Sequence, residues 1–188
     1  MSKSNFIHHK RGAYPTATCH AMIDYFENNP ALQQNGRSGA GKDEKRLQNK
    51  EITIDVYSVN FGLTTPLNDV IEEYKTIYPA IDTYISSWQV YRWAQLMRYM
   101  AGDYYSREHC ENSGSVTPDD CHTRVFGWMA FLNNIQEGGG TMFTQQNVII
   151  KPREGDLYIW PAHWTHMHKG VVAPTETKYI ITGWCNFI

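Results

Sequence analysis

The chain has 188 residues, and no apolar run in it approaches the roughly 18–20 residues of a membrane-spanning helix, so no helical span is expected. An excess of one charge is also missing. Seventeen Lys and Arg against 19 Asp and Glu leave a formal net charge of −2, which gives no electrostatic footprint for nucleic acid or an anionic membrane. Neither is expected as a partner. Cysteine is sparse: Cys19, Cys110, Cys121 and Cys185 form no CxxC pair and no regular framework. That argues against a disulfide scaffold and for reduced thiols in a cytoplasmic setting. The opening MSKSNFIHHKRG lacks the apolar core of a secretory signal, so export is not expected. There is no internal repeat. GRSGAGK at 36–42 falls short of a phosphate loop, because Asp43 follows Lys42 and no buried strand precedes it. The polar, Gly-rich stretch 33–50 is therefore read as a solvated loop.

Aromatic side chains, by contrast, are abundant. Twelve Tyr and 6 Trp suit strands and recessed pockets better than a flexible tail. Residues 16–29 place Cys19, Met22, Ile23 and Phe26 at helical spacing, with Pro30 at the exit. A second amphipathic helix is expected over 66–78, with Pro66 near its start. Between them, 51–61 alternates Ile52, Ile54 and Val56 against Thr53 and Asp55, as a half-buried strand does. From residue 84 the texture changes to short β-rich runs at 86–93, 95–100, 125–132, 147–151, 156–160, 165–172 and 178–184. Many short strands in succession point to an α+β, mainly β fold: a jelly-roll, cupin-like core with N-terminal helices packed on one sheet. One domain over 1–188 is expected, with a core at about 84–188 and helical and strand support from 1–83.

Two segments concentrate histidine, YSREHCE at 105–111 and HWTHMHKG at 163–170. Residues i and i+2 of a strand share a face, so His109 and Glu111 can point together at one metal. A distant strand then supplies the third ligand, His166 or His168. Two imidazoles and one carboxylate leave half an octahedron open, which suits non-haem Fe(II). His163, His166 and His168 could instead serve zinc, and the chain would then be a cupin-like metal-binding protein without oxygenase activity.

Residues 99–184 resemble the catalytic core of the prolyl 4-hydroxylase-like branch of the 2-oxoglutarate oxygenases. That family's pattern runs YxxGxxYxxHxD, RxxTxLxYLN, EGGxT, VxPxxGxxLxF, HxGxxV and Kxxxx[TS]xW. Its counterparts here are Tyr99 to Gly102 with Tyr104 and Tyr105, then RVFGWMAFLN at 124–133 and EGGGT at 137–141. IIKPREGDLYIW at 149–160, THMHKG at 165–170 and KYIITGW at 178–184 follow. The resemblance implies a double-stranded β-helix with His109, Glu111 and His168 on the metal. His168, not His166, lies the family's ten residues before the basic position, Lys178. Lys178 is then the partner of the distal carboxylate of 2-oxoglutarate, with the Tyr99 and Thr141 hydroxyls beside it and Trp184 next to the oxoacid pocket. Two departures stand out. Glu111 replaces the usual Asp, and the gap from Gly102 to His109 is one residue longer than usual. Either a bulge absorbs the extra residue or Glu108 and Cys110 take the ligand slots, a poorer match.

The implied cofactors are Fe(II), 2-oxoglutarate as cosubstrate and O₂, with ascorbate as an accessory the family admits. The implied reaction is oxidative decarboxylation of 2-oxoglutarate coupled to hydroxylation of a substrate C–H bond. The resemblance suggests a peptidyl proline as substrate, with a peptidyl lysine or another small substrate as alternatives. Arg124 and Trp128 of the middle strand are candidate substrate contacts. The loop 110–123 and the segment 84–95 are candidate peptide-facing surfaces. Compact chains of this kind resemble those of bacteria and large viruses or phages.

Overall fold

The computed structural model describes residues 4–36, 48–58, 60–114, 116 and 121–188. Parts of the expected loops 33–50 and 110–123 lie outside the described residues. Eleven strands and three α-helices are assigned among the rest. In chain order they are β1 (His8–Lys10), α1 (Thr16–Asn28), β2 (Gln34–Asn35), β3 (Lys50–Asp55), α2 (Thr64–Ile77), α3 (Ala80–Thr83), β4 (Trp88–Val90) and β5 (Trp93–Tyr99). Then follow β6 (Arg124–Phe131), β7 (Thr141–Phe143), β8 (Val148–Ile150), β9 (Leu157–Pro161), β10 (His168–Gly170) and β11 (Lys178–Phe187).

Eight of these strands form one antiparallel sheet in the order β1-β9-β6-β11-β5-β3-β2, with β4 added alongside β11. A second, three-stranded sheet runs β10-β7-β8. The pairing explains why β6, RVFGWMAF, is apolar on both sides. It lies between β9 and β11, and each of its faces meets a separate core. One face packs against the helices: Cys19, Met22 and Phe26 of α1 and Leu67, Val70, Ile71 and Tyr74 of α2 join Phe126, Trp128, Ala130, Leu157, Ile159 and Ile181. The opposite face turns toward the small sheet, where Tyr99, Met129, Phe131, Tyr158, Trp160 and Ile180 meet Phe143 and Ile150. This is the layered jelly roll expected from the strand run, with helices confined to one side.

The N-terminal third does more than support the core from outside. β3 pairs with β5 over six residue pairs, and β1 pairs with β9. The His9 ring stacks on Tyr158, centroids 4.3 Å apart, and its Nε2 meets Asp156 Oδ2 at 2.7 Å. Segment 84–95 divides between the faces. Trp88 packs in the helix-side core, while Tyr84 and Trp93 are exposed. No helix among the described residues is long and apolar enough to cross a membrane.

Candidate metal centre

His109 and His168 meet across an isolated antiparallel bridge. The His109 N–H donates to the His168 carbonyl at 3.0 Å and the His168 N–H to the His109 carbonyl at 2.8 Å. The bridge sets the register of the lengthened segment after Gly102. His109 faces His168, its neighbour Glu108 is exposed, and the Cys110 thiol is directed to the Asn112 carbonyl at 3.2 Å. Asn112 then anchors the segment: its amide nitrogen donates to the carbonyls of His122 and Arg124 at 3.0 and 2.8 Å. Two residues along from His109, Glu111 shares its direction. Ligand atoms of His109, Glu111 and His168 lie within 4.8 Å of one another, and no other such His, Cys, Asp and Glu group is found among the described residues.

The tautomers follow from the hydrogen bonds. Nδ1 of His109 lies 3.0 Å from the Arg107 carbonyl, and Nδ1 of His168 lies 2.9 Å from the His166 carbonyl. A carbonyl only accepts, so each Nδ1 carries the proton and each Nε2 keeps a lone pair for the centre. Such outer partners orient the rings and raise their basicity. Glu111 is held by one oxygen and faces the other donors with the second. Oε2 accepts the indole N–H of Trp184 at 2.6 Å, while Oε1 lies 3.2 Å from His168 Nε2. Burial pushes the Glu111 carboxyl up, but the His168 and His109 rings, whenever they carry a second proton, together with Arg124 outweigh that and hold it well below the usual carboxylate range. Burial pushes the His109 ring down to about 4, helped by the neighbouring His168. Two imidazole lone pairs and a carboxylate this close repel unless a cation stands between them. The set of two nitrogens and one oxygen matches the facial arrangement that suits Fe(II), so the residues present fit that metal.

A second feature faces the same interior. Lys178 opens β11 directly opposite Tyr99 on β5 and is only 6% exposed. Its ammonium donates to the Gly139 carbonyl at 3.0 Å and lies 4.5 Å from the Tyr99 ring centroid. No carboxylate among the described residues pairs with it, and burial pushes it down to about 8. The turn that offers the carbonyl requires glycine. Gly138 and Gly139 adopt φ of +69° and +68°, and a Cβ on Gly138 would stand 2.0 Å from the Val172 carbonyl oxygen. Thr141 follows at the start of β7 and is buried. The Tyr99 hydroxyl, expected beside an oxoacid, points to Met97 Sδ at 3.6 Å.

One of the candidate contacts is ruled out, and the others gain partners. Trp128 is fully buried on the helix side of β6, facing away from the metal donors, so it neither lines the cavity nor reaches a substrate. The strand's parity breaks at a bulge: Cys185 pairs with Phe126 but Asn186 with Arg124, leaving Val125 extra. That slip turns Arg124 to the Trp184 side, where its guanidinium lies 3.8 Å over the Trp184 ring and donates to the Glu111 carbonyl at 3.2 Å. Trp184, expected beside the oxoacid, has its indole N–H on Glu111. Finally, both ring nitrogens of His166 are engaged away from the centre. Nε2 donates to the Asn5 carbonyl at 2.9 Å, and Nδ1 lies 3.0 Å from the Thr165 hydroxyl. His166 ties the N-terminal segment to the strand that carries His168. Tyr105, edge-on to His109 at 4.5 Å, and Trp160, edge-on to His168 at 5.3 Å, complete the walls. No sequence signal marked either as a neighbour of the donors.

Among solved structures, the chain resembles a viral collagen prolyl hydroxylase from Paramecium Bursaria Chlorella virus-1 in its 2OG complex, with a TM-score of 0.71 and 17% identity over 97% of each chain. A Pseudomonas putida prolyl-4-hydroxylase matches with a TM-score of 0.68 and 15% identity, over 97% of this chain and 93% of that one. A Trichoplax adhaerens prolyl hydroxylase, bound to a hypoxia inducible factor peptide fragment, matches with a TM-score of 0.72 and 16% identity, over 97% of this chain and 84% of that one. At these identities the likeness is one of fold. No functionally curated protein matches the sequence. Residues 94–186, which contain all three donors and Lys178, match the model of the 2OG-Fe(II) oxygenase superfamily, and the chain belongs to that family.

Proposed function

We propose that this 2-oxoglutarate-dependent dioxygenase hydroxylates a peptidyl proline, with His109, Glu111 and His168 holding Fe(II) and Lys178 holding the cosubstrate. The observation that carries the reading is the pairing of two features in one interior: a converging set of two His and one Glu, and a buried lysine with no carboxylate partner among the described residues. A buried cation without a counter-ion is costly, and an incoming carboxylate relieves that cost. When bound, Fe(II) with 2-oxoglutarate and O₂ supplies the oxidising chemistry, which releases succinate and CO₂ and places one oxygen atom in a substrate C–H bond.

The chain's own residues do the rest. The two Nδ1 protons, held by the Arg107 and His166 carbonyls, keep the metal-facing nitrogens unprotonated. Trp184 turns Glu111 so that Oε1 faces the centre. Lys178 and the Gly139 carbonyl fix the depth at which the oxoacid seats. Phe143, Trp160 and Tyr105 exclude water around the donors, which strengthens the charge interactions there. Proline as the target, a peptide as the partner and a cytoplasmic location are supported by the shared fold with three prolyl hydroxylases and by four unbridged cysteines. The test is incubation with Fe(II), 2-oxoglutarate and a library of Pro- and Lys-containing peptides. A gain of one oxygen on proline, with matching succinate, supports the proposal; oxygen gained on lysine alone, or succinate never coupled to a peptide, overturns the proline assignment.

A further inference from the structure

We propose that Gly127 is a positioning residue for the metal-binding carboxylate, because its missing side chain is the space that the longer arm of Glu111 occupies. The inference rests on Glu111 being a metal ligand. Gly127 lies in the middle of β6, opposite Trp184 of β11, on the face that turns toward the donors. Glycine weakens a strand interior and there often marks a close approach. Its φ is not in the left-handed region, so backbone conformation does not call for glycine at this position. Space does. A Cβ at 127 would stand 3.0 Å from Cγ of Glu111, and 2.9 and 3.0 Å from Cε2 and Cζ2 of Trp160. Carbon atoms normally settle at about 3.5–4.0 Å.

The added methyl would therefore be pinched between a ring and a carboxylate arm. The ring has little freedom: Trp160 is 2% exposed and is held edge-on by Phe143 and His168, each centroid at 5.3 Å. The arm can move, but only by leaving its present seat. That seat is anchored by Trp184 at 2.6 Å on Oε2 and leaves Oε1 facing His168 Nε2 at 3.2 Å. Moving Cγ aside withdraws Oε1 from the point where the three donors converge. An aspartate at 111 carries its carboxyl carbon at Cγ, with no methylene that must bend past residue 127 before the carboxylate, so its Cγ can turn toward the donors and away from a methyl there. The acid at 111 and the residue at 127 are thus a matched pair: a glutamate needs glycine, and an aspartate tolerates alanine.

The test is a double-mutant cycle on the metal-free chain titrated anaerobically with Co(II), whose d–d absorption reports its ligand set. Binding affinity, the absorption band and the melting temperature are read for Glu111→Ala, Gly127→Ala, Glu111→Asp and the Glu111→Asp/Gly127→Ala pair. Gly127→Ala should weaken Co(II) binding by about tenfold or more and alter the band when residue 111 is Glu, as loss of a ligand's support typically does. With Asp at 111 the same substitution should cost little, and the double variant should bind more tightly than Gly127→Ala alone. If Gly127→Ala fails to fold while the double variant folds, the steric pairing is supported. Equal losses with Glu and Asp, failure of both to fold, or no loss at all overturns it, because the methyl then acts through Trp160 or not at all. The underlying reading fails separately: Glu111→Ala binding Co(II) like the parent chain would remove Glu111 from the metal.

Discussion

The backbones of His109 and His168 exchange both of their hydrogen bonds, and their ring centroids stand 4.4 Å apart. Two residues 59 positions apart in sequence are thereby fixed opposite each other by main-chain geometry alone, before any metal contributes. The centre is built on strand-like backbone, which holds ligands more tightly than a free loop would.

His166 and His168 should separate cleanly. His168→Ala removes a lone pair from the centre and should abolish metal binding. His166→Ala removes a buried ring and the part-buried hydrogen bond it donates to the Asn5 carbonyl, a bond worth about 0.5–1.5 kcal/mol. That should appear as a lower melting temperature with metal binding retained. Calorimetric melting and a Co(II) titration of both variants check it. Loss of binding in His166→Ala with retention in His168→Ala would exchange their roles.

Lys178→Met should weaken 2-oxoglutarate binding by about 2–5 kcal/mol, the usual cost of removing one member of a buried charge pair. Metal binding should be unchanged. Isothermal titration of the Mn(II)-loaded chain with 2-oxoglutarate measures both. An unaltered 2-oxoglutarate affinity would take Lys178 out of the pocket.

The same lysine predicts a pH dependence of cosubstrate binding. Burial lowers its pKa to about 8 in the free protein. A bound carboxylate favours the charged form and so raises that pKa. Below about pH 8 the ammonium is already charged and affinity is flat with pH. Above it, binding must take up a proton, and affinity should fall by roughly tenfold per pH unit until the raised pKa is reached. Titrations in two buffers of different ionisation enthalpy would reveal the uptake. A flat affinity with no proton uptake up to about pH 9 contradicts the assignment.

Much of this architecture was legible in the sequence, for physical reasons. The apolar spacing of Cys19, Met22 and Phe26 and the alternation of Ile52 and Ile54 report burial directly, and both segments form the expected elements. β7 was not legible, because three residues are too few to show a period. β1, His8–Lys10, reads as polar because it is held at the sheet edge by Glu73, Asp156 and a stacked tyrosine rather than by apolar burial. Residue types and strand spacing marked His109, Glu111 and the His166/His168 segment as chemistry-bearing, and the family resemblance chose His168 and added Lys178. Their neighbours were hidden, since a bulge at Val125 reverses the facing of Arg124 relative to Trp128 and no strand pattern foretells it. The role of Trp184 depends on a cross-strand contact to Glu111, 73 residues away.

That contact yields its own expectation. Trp184→Phe keeps the ring beneath Arg124 but removes the N–H that Glu111 Oε2 accepts. Metal affinity should fall by about 10–100-fold, the range seen when an outer partner of a ligand is lost. Equilibrium dialysis with Mn(II) measures it, and an affinity equal to the parent's would make the indole N–H irrelevant to the carboxylate.

The most direct test of the centre is anaerobic Fe(II) binding by the parent chain and by His109→Ala, Glu111→Ala and His168→Ala, each checked for folding by circular dichroism. The account predicts one Fe(II) per parent chain and none retained by any folded single variant. A folded variant that binds Fe(II) as the parent does would contradict it and remove that residue from the metal.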